Sequence, residues 1–554
     1  MSSPNLELSP DVIVIGGGPA GSTTATMLTR KGVRVLLLER EKFPRHHVGD
    51  SLLPASMPVL EELGVLPAIE KAGFLPKHGA TMVWGKDPTP WSWYFRETSR
   101  QYPHSYQVSR PEFDQLLLEN SRANGVDVRE GTRVLDIHTR DGKTTGVGFV
   151  SENGTPGTAH AALVVDATGQ GGMLGRTLNL RHWDSFFQNL AVYAYFEGAR
   201  RLPQPDETNI FIESYKGGWF WNIPLHTGQT GVGAVVDSST GQEGIQRLGL
   251  QGFLIDQISQ APHTAAMLKD ARLSEGPFVV KDWSYTCEPM VGDGHILVGD
   301  AACFVDPLFS SGVHLALMGG VMAAALATST LKDPTIAKPA GRAYQQLYLR
   351  EYSHFREMAR LFYSSNLNAD SYFWETRRLL GGDETFSPRH AFIRAVAGQP
   401  SRGYERAVLE QGRAPAGFSS GVKAVEDERS LRQAKLAAAL EQTAGNEPAI
   451  YQVVPRLAPE VSIERQPVLG EGEFVWGQVI TSGGGPGGEP QNTPCSPLVA
   501  MLVSQIDGRT PVAGLLAGLV QGRDDDQAAQ IIQSSLAALQ ILYVDGSIEE
   551  MIGL

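Results

Sequence analysis

The sequence predicts an α/β chain in which a βαβ unit merges with a mixed β-sheet region and a mostly helical C-terminal extension follows. Three observations carry that expectation. A strand, a glycine turn, a helix and a second strand follow one another near the N-terminus. Two apolar strands further on, Leu163-Val164-Val165 and Ile296-Leu297-Val298, each lead into an acid. After about Ala337 the strands give way to aromatic and then polar helical patterns.

The N-terminal unit begins with Asp11-Val12-Ile13-Val14-Ile15, followed by Gly16-Gly17-Gly18-Pro19-Ala20-Gly21. A helical pattern runs to about Arg30, and a second strand, Val33 to Leu38, ends at Glu39. With an acid about 20 residues after the turn, this is a Rossmann-type dinucleotide fingerprint. Gly16 permits the tight turn, Gly18 lets backbone approach a pyrophosphate, and Gly21 lets the helix pack closely on the strand. Glu39 is placed to accept hydrogen bonds from ribose hydroxyls. Further on, Pro111 suits an early position in a helix opening around Val108-Ser109-Arg110. Asp166 and Gly299-Asp300 stand at the carboxyl ends of their strands, where open α/β sheets bind ligands.

Composition narrows the classes. With 42% hydrophobic and 19% charged residues, the 554-residue chain is globular rather than disordered or coiled-coil. Its 61 glycines are aperiodic and punctuate apolar strands, which excludes collagen. Forty-seven basic against 60 acidic residues give a net charge of −13, so neither nucleic acid nor a membrane surface is expected as a partner. Cys287, Cys303 and Cys495 cannot form a disulfide framework, and neither they nor the histidines show metal-ligand spacing. No signal peptide is read in Met1 to Pro10, and the apolar stretch Leu315 to Leu331 is shorter than the ~20 residues of a membrane span. A cytoplasmic location is expected.

The glycine fingerprint, Asp166-Ala167-Thr168-Gly169 and Gly299-Asp300 together resemble the FAD-dependent monooxygenase superfamily. The resemblance implies an FAD-binding fold. It places Gly17 and Ala20 with the other turn residues against the cofactor, Asp300 on its ribityl chain, and Arg110 close by. Two further motifs narrow it. Trp219-Phe220-Trp221-Asn222-Ile223-Pro224 is similar to the W-x-W-x-I-P signature of flavin-dependent halogenases. Phe304-Val305-Asp306-Pro307-Leu308-Phe309-Ser310-Ser311-Gly312 is similar to their F-x-x-P-x-x-S-x-G pattern.

That resemblance implies a cycle. FADH2 arrives from a separate NAD(P)H flavin reductase, since no second dinucleotide fingerprint is read here. With O2 and chloride or bromide it yields hypohalous acid. Ser311 and Gly312 would hold halide at a helix start and the Val313 N–H would meet the flavin, while Trp219, Trp221 and Pro224 block direct access of substrate to it. Phe74-Leu75-Pro76-Lys77-His78-Gly79 resembles the family segment whose lysine faces the oxidant tunnel, which implies catalysis by Lys77, although a lone loop lysine is ordinarily a solvated charge. Gly49-Asp50-Ser51 carries Asp where the family commonly has Glu. Phe309 stands where tryptophan halogenases have a glutamate. The expected substrate is therefore an electron-rich phenol or pyrrole in natural-product (antibiotic) biosynthesis, free or on an acyl or peptidyl carrier protein, rather than free tryptophan. The rival readings are a single-component FAD-dependent aromatic hydroxylase and a non-catalytic flavin- or peptide-binding accessory protein.

The domains read from sequence are a merged FAD and halogenation core over residues 1–335, a helical extension over 336–455, and a small acidic module over 456–554. The last is expected to run helix, tight turn, helix, helix from Ser496 and to resemble a winged helix. From Val461 onward there are three basic and eleven acidic residues, so these 94 residues carry −8, which argues against contact with DNA phosphates.

Overall fold

The computed structural model describes residues 6–364, 388–398, 432, 434–436, 443–444, 447–482, 491–544 and 546–553. They fall into two compact units, the first holding the described residues through 364 with 392–398 and 471–473, the second the remaining C-terminal segments. The division differs from the three parts drawn from sequence. The helix Ala337–Ser364 belongs to the first unit, because its apolar face buries Tyr344, Tyr348, Phe355 and Phe362 there. Of the polar helical stretch expected over Ser387 to Leu440, the helix Pro388–Val396 is described, while most of the rest, like most of the glycine- and proline-rich break from Ser482 to Pro490, lies outside the described residues.

The first unit is built on a six-stranded sheet ordered Val291–Gly292, His295–Leu297, Leu163–Asp166, Val12–Ile15, Val35–Leu38, Asp127–Arg129. Its central strands run parallel, with Val12 opposite both Leu163 and Val35. They are wholly buried runs of branched residues, as a sheet covered on both faces requires. Helices Pro19–Arg30 and Ser311–Lys332 meet closely enough for Thr24 Oγ1 to donate to Gly320 O at 3.3 Å. The second of these is long and apolar enough to cross a membrane, but most of it is buried within the protein.

The mixed region is an eight-stranded sheet in which Arg181–Glu197 pairs antiparallel with both Arg272–Cys287 and Gln229–Asp237. Gly218–Pro224 follows Gln229–Asp237 in the order, then Ile210–Tyr215, which lies parallel to Gly79–Val83. A four-stranded sheet of Leu6–Leu8, Pro156–His160, Lys143–Val150 and Arg133–Arg140 flanks these.

In the second unit, helices Pro497–Gln505, Val512–Val520 and Asp525–Val544 follow one another as expected. Ser496 caps the first by accepting the Val499 N–H at 3.2 Å. The unit also carries an antiparallel sheet of Ser462–Leu469, Phe474–Ser482 and Gln491–Cys495, and a pairing of Val454–Leu457 with Ile548–Ile552. Its core is Val499, Leu502, Leu515, Leu516, Leu539 and Leu542.

Candidate functional site

The carboxyl ends of Val12–Ile15, Leu163–Asp166 and the strand leading to Val298 open onto a cavity of about 1140 Å³ in the first unit. Gly16, Gly18, Ala20, Glu39, Arg110, Asp300, Gly312 and Val313 all line it. The fingerprint and the halide pattern, nearly 300 residues apart in sequence, therefore share one chamber.

The glycine turn is dictated by close approach. Gly16 has φ +104°, and a Cβ there would sit 2.3 Å from Ala167 O. A Cβ on Gly21 would sit 1.9 Å from Gly16 O, so only glycine lets the helix start this near the strand. Gly17 and Gly21 do not themselves line the cavity; they shape it. The Gly17 N–H donates to Glu39 Oε2 at 2.7 Å and the Glu41 N–H to Oε1 at 2.8 Å, which fixes the carboxylate at the cavity wall. A carboxylate still has lone pairs for a ribose hydroxyl after accepting two bonds.

Arg110 opens the helix Arg110–Ala123 but is buried. Its Nε and Nη2 donate to Asp114 Oδ1 and Oδ2 at 2.8 and 2.9 Å, and its Nη1 donates to Val48 O. Burial opposes its charge, and Asp114 more than offsets that. Asp300 is pushed up to about 6 by burial, with Arg110 and Arg181 pulling the other way.

Ser310 adopts φ +57°, and the helix Ser311–Lys332 starts immediately after it. The first N–H groups of a helix have no intrahelical acceptor, so this start is suited to an anion. Ser310 and Gly312 line the cavity, whereas Ser311 is 1% exposed and does not. Ser311 Oγ hydrogen bonds to no described residue. Ser310 is the fixed serine of the sequence pattern, but the halide role was read onto Ser311 and Gly312; its left-handed backbone has no signal in residue type.

Trp219, Trp221 and Pro224 lie on Gly218–Pro224, the two indoles 5.9 Å apart. Trp221 lines the cavity; Trp219 and Pro224 do not. The Trp219 indole N–H instead donates to Tyr363 Oη at 2.6 Å.

Lys77 ends the strand Leu75–Lys77 and is 2% exposed, not a solvated loop charge. It stands outside the cavity wall. Its Nζ donates to Leu52 O at 3.0 Å and sits 5.6 Å from the centre of the Phe95 ring, with no carboxylate among the described residues paired to it. Burial pulls it down to about 7. Asp50 and Ser51 line the cavity and lead directly to Leu52, so three consecutive residues join the cavity wall to the amine. Asp50 is itself pushed up to about 7 by burial, while Arg110 and the Tyr195 hydroxyl, 3.1 Å from Oδ2, hold it down.

Arg45, His46 and His47 also line the cavity and were not singled out for it from sequence. Arg45 Nη2 approaches Asp114 Oδ2 at 3.3 Å, and His47 is held near 4 by burial first and by Arg110 next. The Arg-His-His run after the second strand was their only signal.

The residues present fit FAD. The cavity exceeds the ~300–1,000 Å³ of drug-sized pockets and runs from a dinucleotide turn to a helix start. The unpartnered Oδ1 of Asp50 and Oγ of Ser311 are buried polar atoms near its walls. The fold and site define a flavoprotein in which a buried amine stands apart from the cofactor chamber. The comparisons agree. The family model for tryptophan halogenase matches residues 11–103 and 96–409, and the chain belongs to this family of flavin-dependent halogenases.

The chain is 33% identical over 378 residues to a tryptophan 2-halogenase of Chondromyces crocatus, covering 68% of this chain and 72% of that protein. It is 31% identical over 431 residues to a 1H-pyrrole-2-carbonyl-[peptidyl-carrier protein] chlorinase of Pseudomonas fluorescens, covering 70% and 94%. The structure of the myxobacterial chondrochloren halogenase CndH superposes with a TM-score of 0.63 at 40% identity, covering 71% of this chain and 91% of that one. That of the flavin-dependent halogenase CmlS superposes at 0.69 with 26% identity, covering 96% of each. The chain is an enzyme of this class, using FAD with halide and O2.

Proposed function

We propose that the enzyme halogenates an electron-rich aromatic ring, phenolic or pyrrole, presented free or on an acyl or peptidyl carrier protein. The observation that carries the reading is the buried Lys77 amine beside the Asp50–Leu52 segment of the cavity wall. Phe309 adds to it: a buried aromatic packed edge-on to Phe362 at 5.2 Å offers no base where tryptophan halogenases have a glutamate, so the ring must already be reactive. The relative named as a pyrrolyl-carrier chlorinase supports the same substrate class.

FAD, bound in its reduced form, supplies the activation of O2 and the oxidation of halide to hypohalous acid. Glu39 and the turn from Gly16 to Gly21 would hold its adenosine ribose and pyrophosphate, and Arg110 and Asp300 would hold the rest of it in the same cavity. N–H groups at the start of the Ser311–Lys332 helix, with Ser310 and Gly312, bind halide. Trp221 closes the wall so that the ring stays away from the flavin. Lys77, with comparable neutral and charged populations near pH 7, holds the oxidant by hydrogen bonding and directs it to the ring. A ring C–H becomes C–halogen, and the ring proton leaves with the hydroxide of hypohalous acid as water.

The test supplies a flavin reductase, NADH, FAD and chloride with phenols and pyrroles, free and carrier-bound. Halogenated product is expected from at least one of them. A hydroxylated product formed without halide, and no halogenated one, would sink the reading.

A further inference from the structure

Trp219 does not itself line the cofactor cavity, yet it belongs to the strand that walls that cavity, on the same face as Trp221. Its indole N–H donates to Tyr363 Oη at 2.6 Å, and the same oxygen receives the Asn189 amide at 3.4 Å. With both lone pairs of the phenol engaged, its one proton goes to Asp306 Oδ2, 2.9 Å away. The other oxygen of Asp306 accepts the Leu308 N–H at 2.9 Å, and the Ser310 N–H donates to Pro307 O at 3.1 Å. These two bonds shape the turn that delivers Ser310 and Gly312 to the cavity. Asp306 lines the cavity but is only 3% exposed, so water makes good little of a change in its carboxylate's partners.

We propose that Tyr363 is a positioning residue that ties the Trp219 indole to the halide-binding turn through Asp306. The turn and the tryptophan strand then keep one mutual geometry, set by a phenol from near the end of the helix Ala337–Ser364. The ring of Tyr363 is anchored independently, against Phe187 at 5.4 Å and Trp84 at 6.2 Å, which leaves the hydroxyl to do the tying. The proposal rests on the assignment of halide to the Ser310–Gly312 turn.

Tyr363→Phe keeps the ring and removes the hydroxyl. In protein labelled with [15N]tryptophan, the Trp219 indole resonance, assigned by its loss in Trp219→Phe, is expected to move upfield in Tyr363→Phe without added FAD or halide. In the holoenzyme the KM for chloride is expected to rise about 5- to 10-fold, the factor that one lost hydrogen bond carries in an equilibrium constant. The kcat at saturating chloride should change far less. Asp306→Asn is expected to raise the chloride KM similarly, and the double variant should be no worse than the worse single one.

An unshifted indole resonance, or an unchanged chloride KM in a variant that only melts earlier, overturns the proposal. If the wild-type chain makes halogenated product without saturating in chloride, the turn is not the halide site and the proposal falls with it. A wild-type chain that halogenates nothing is a different result, counting against the functional reading, and the indole shift still decides whether the hydrogen-bonded chain exists.

Discussion

Lys77 is an amine held where water cannot stabilise its charge. Its folded value near 7 lies below the 10.5 of an exposed lysine. Between those values the unfolded chain binds a proton that the folded chain lacks, so stability rises with pH across that window. Below it both states are protonated and the cost of burying the charge is present in full. Lys77→Met is therefore expected to raise the melting temperature near pH 7 by a few degrees and to flatten the slope up to pH 10, measured as thermal melts against pH. The same variant is expected to lose halogenated product while flavin oxidation by O2 persists; product formation at the wild-type rate would remove Lys77 from the chemistry. Arg110 makes the opposite case, a charge kept by its partner. Arg110→Leu leaves the buried Asp114 with Arg45 alone, 3.3 Å away, and a loss of about 3 kcal/mol is expected in chemical denaturation. Removing both should cost less than removing Arg110 alone. The lysine was legible because a motif surrounds it; its burial was not, since that depends on Leu52 and Phe95, which only the fold brings near.

At the scale of elements, the glycine turn was legible in full because its chemistry is local: the strand, turn and helix occupy adjacent residues. A Cβ on Gly21 would lie 1.9 Å from Gly16 O, so Gly21→Val is expected to abolish FAD binding, seen as loss of flavin absorbance from the purified protein. Gly518, exposed in the helix Val512–Val520 with only a flexible glutamine oxygen near its Cβ position, is the contrast. Gly518→Ala is expected to stabilise by about 0.5–1 kcal/mol. What the sequence did not show is the long pairing of Arg181–Glu197 with Arg272–Cys287, whose register is broken by bulges. Nor did it show the link from Trp219 to Tyr363, two residues 144 positions apart. Such contacts depend on which strand neighbours which, and a local pattern of residues does not carry that.

For the whole molecule, the consequence is a division of labour. Among the described residues the first unit contains one dinucleotide turn, and Glu39 stands at its ribose end with its side chain fixed by two backbone N–H groups. Reduced nicotinamide cofactor alone is expected to give no turnover, and adding a separate flavin reductase is expected to start it, followed by oxygen uptake. The charge is uneven along the chain: the last 94 residues carry −8 of the total of −13.

The helix Ala337–Ser364 follows the residues that carry the family's motifs, yet the cofactor end leans on it. Tyr348 Oη accepts the Gly299 N–H at 3.0 Å and donates to Leu315 O at 2.9 Å, while Tyr344 Oη donates to Leu297 O at 2.8 Å. Both phenols are fully buried. A version of the enzyme trimmed to its motif-bearing residues, ending near 335, would strip the backbone beside Asp300 of these partners and open a void against Gly319. The shortest chain that still folds around FAD has to run at least to the end of that helix.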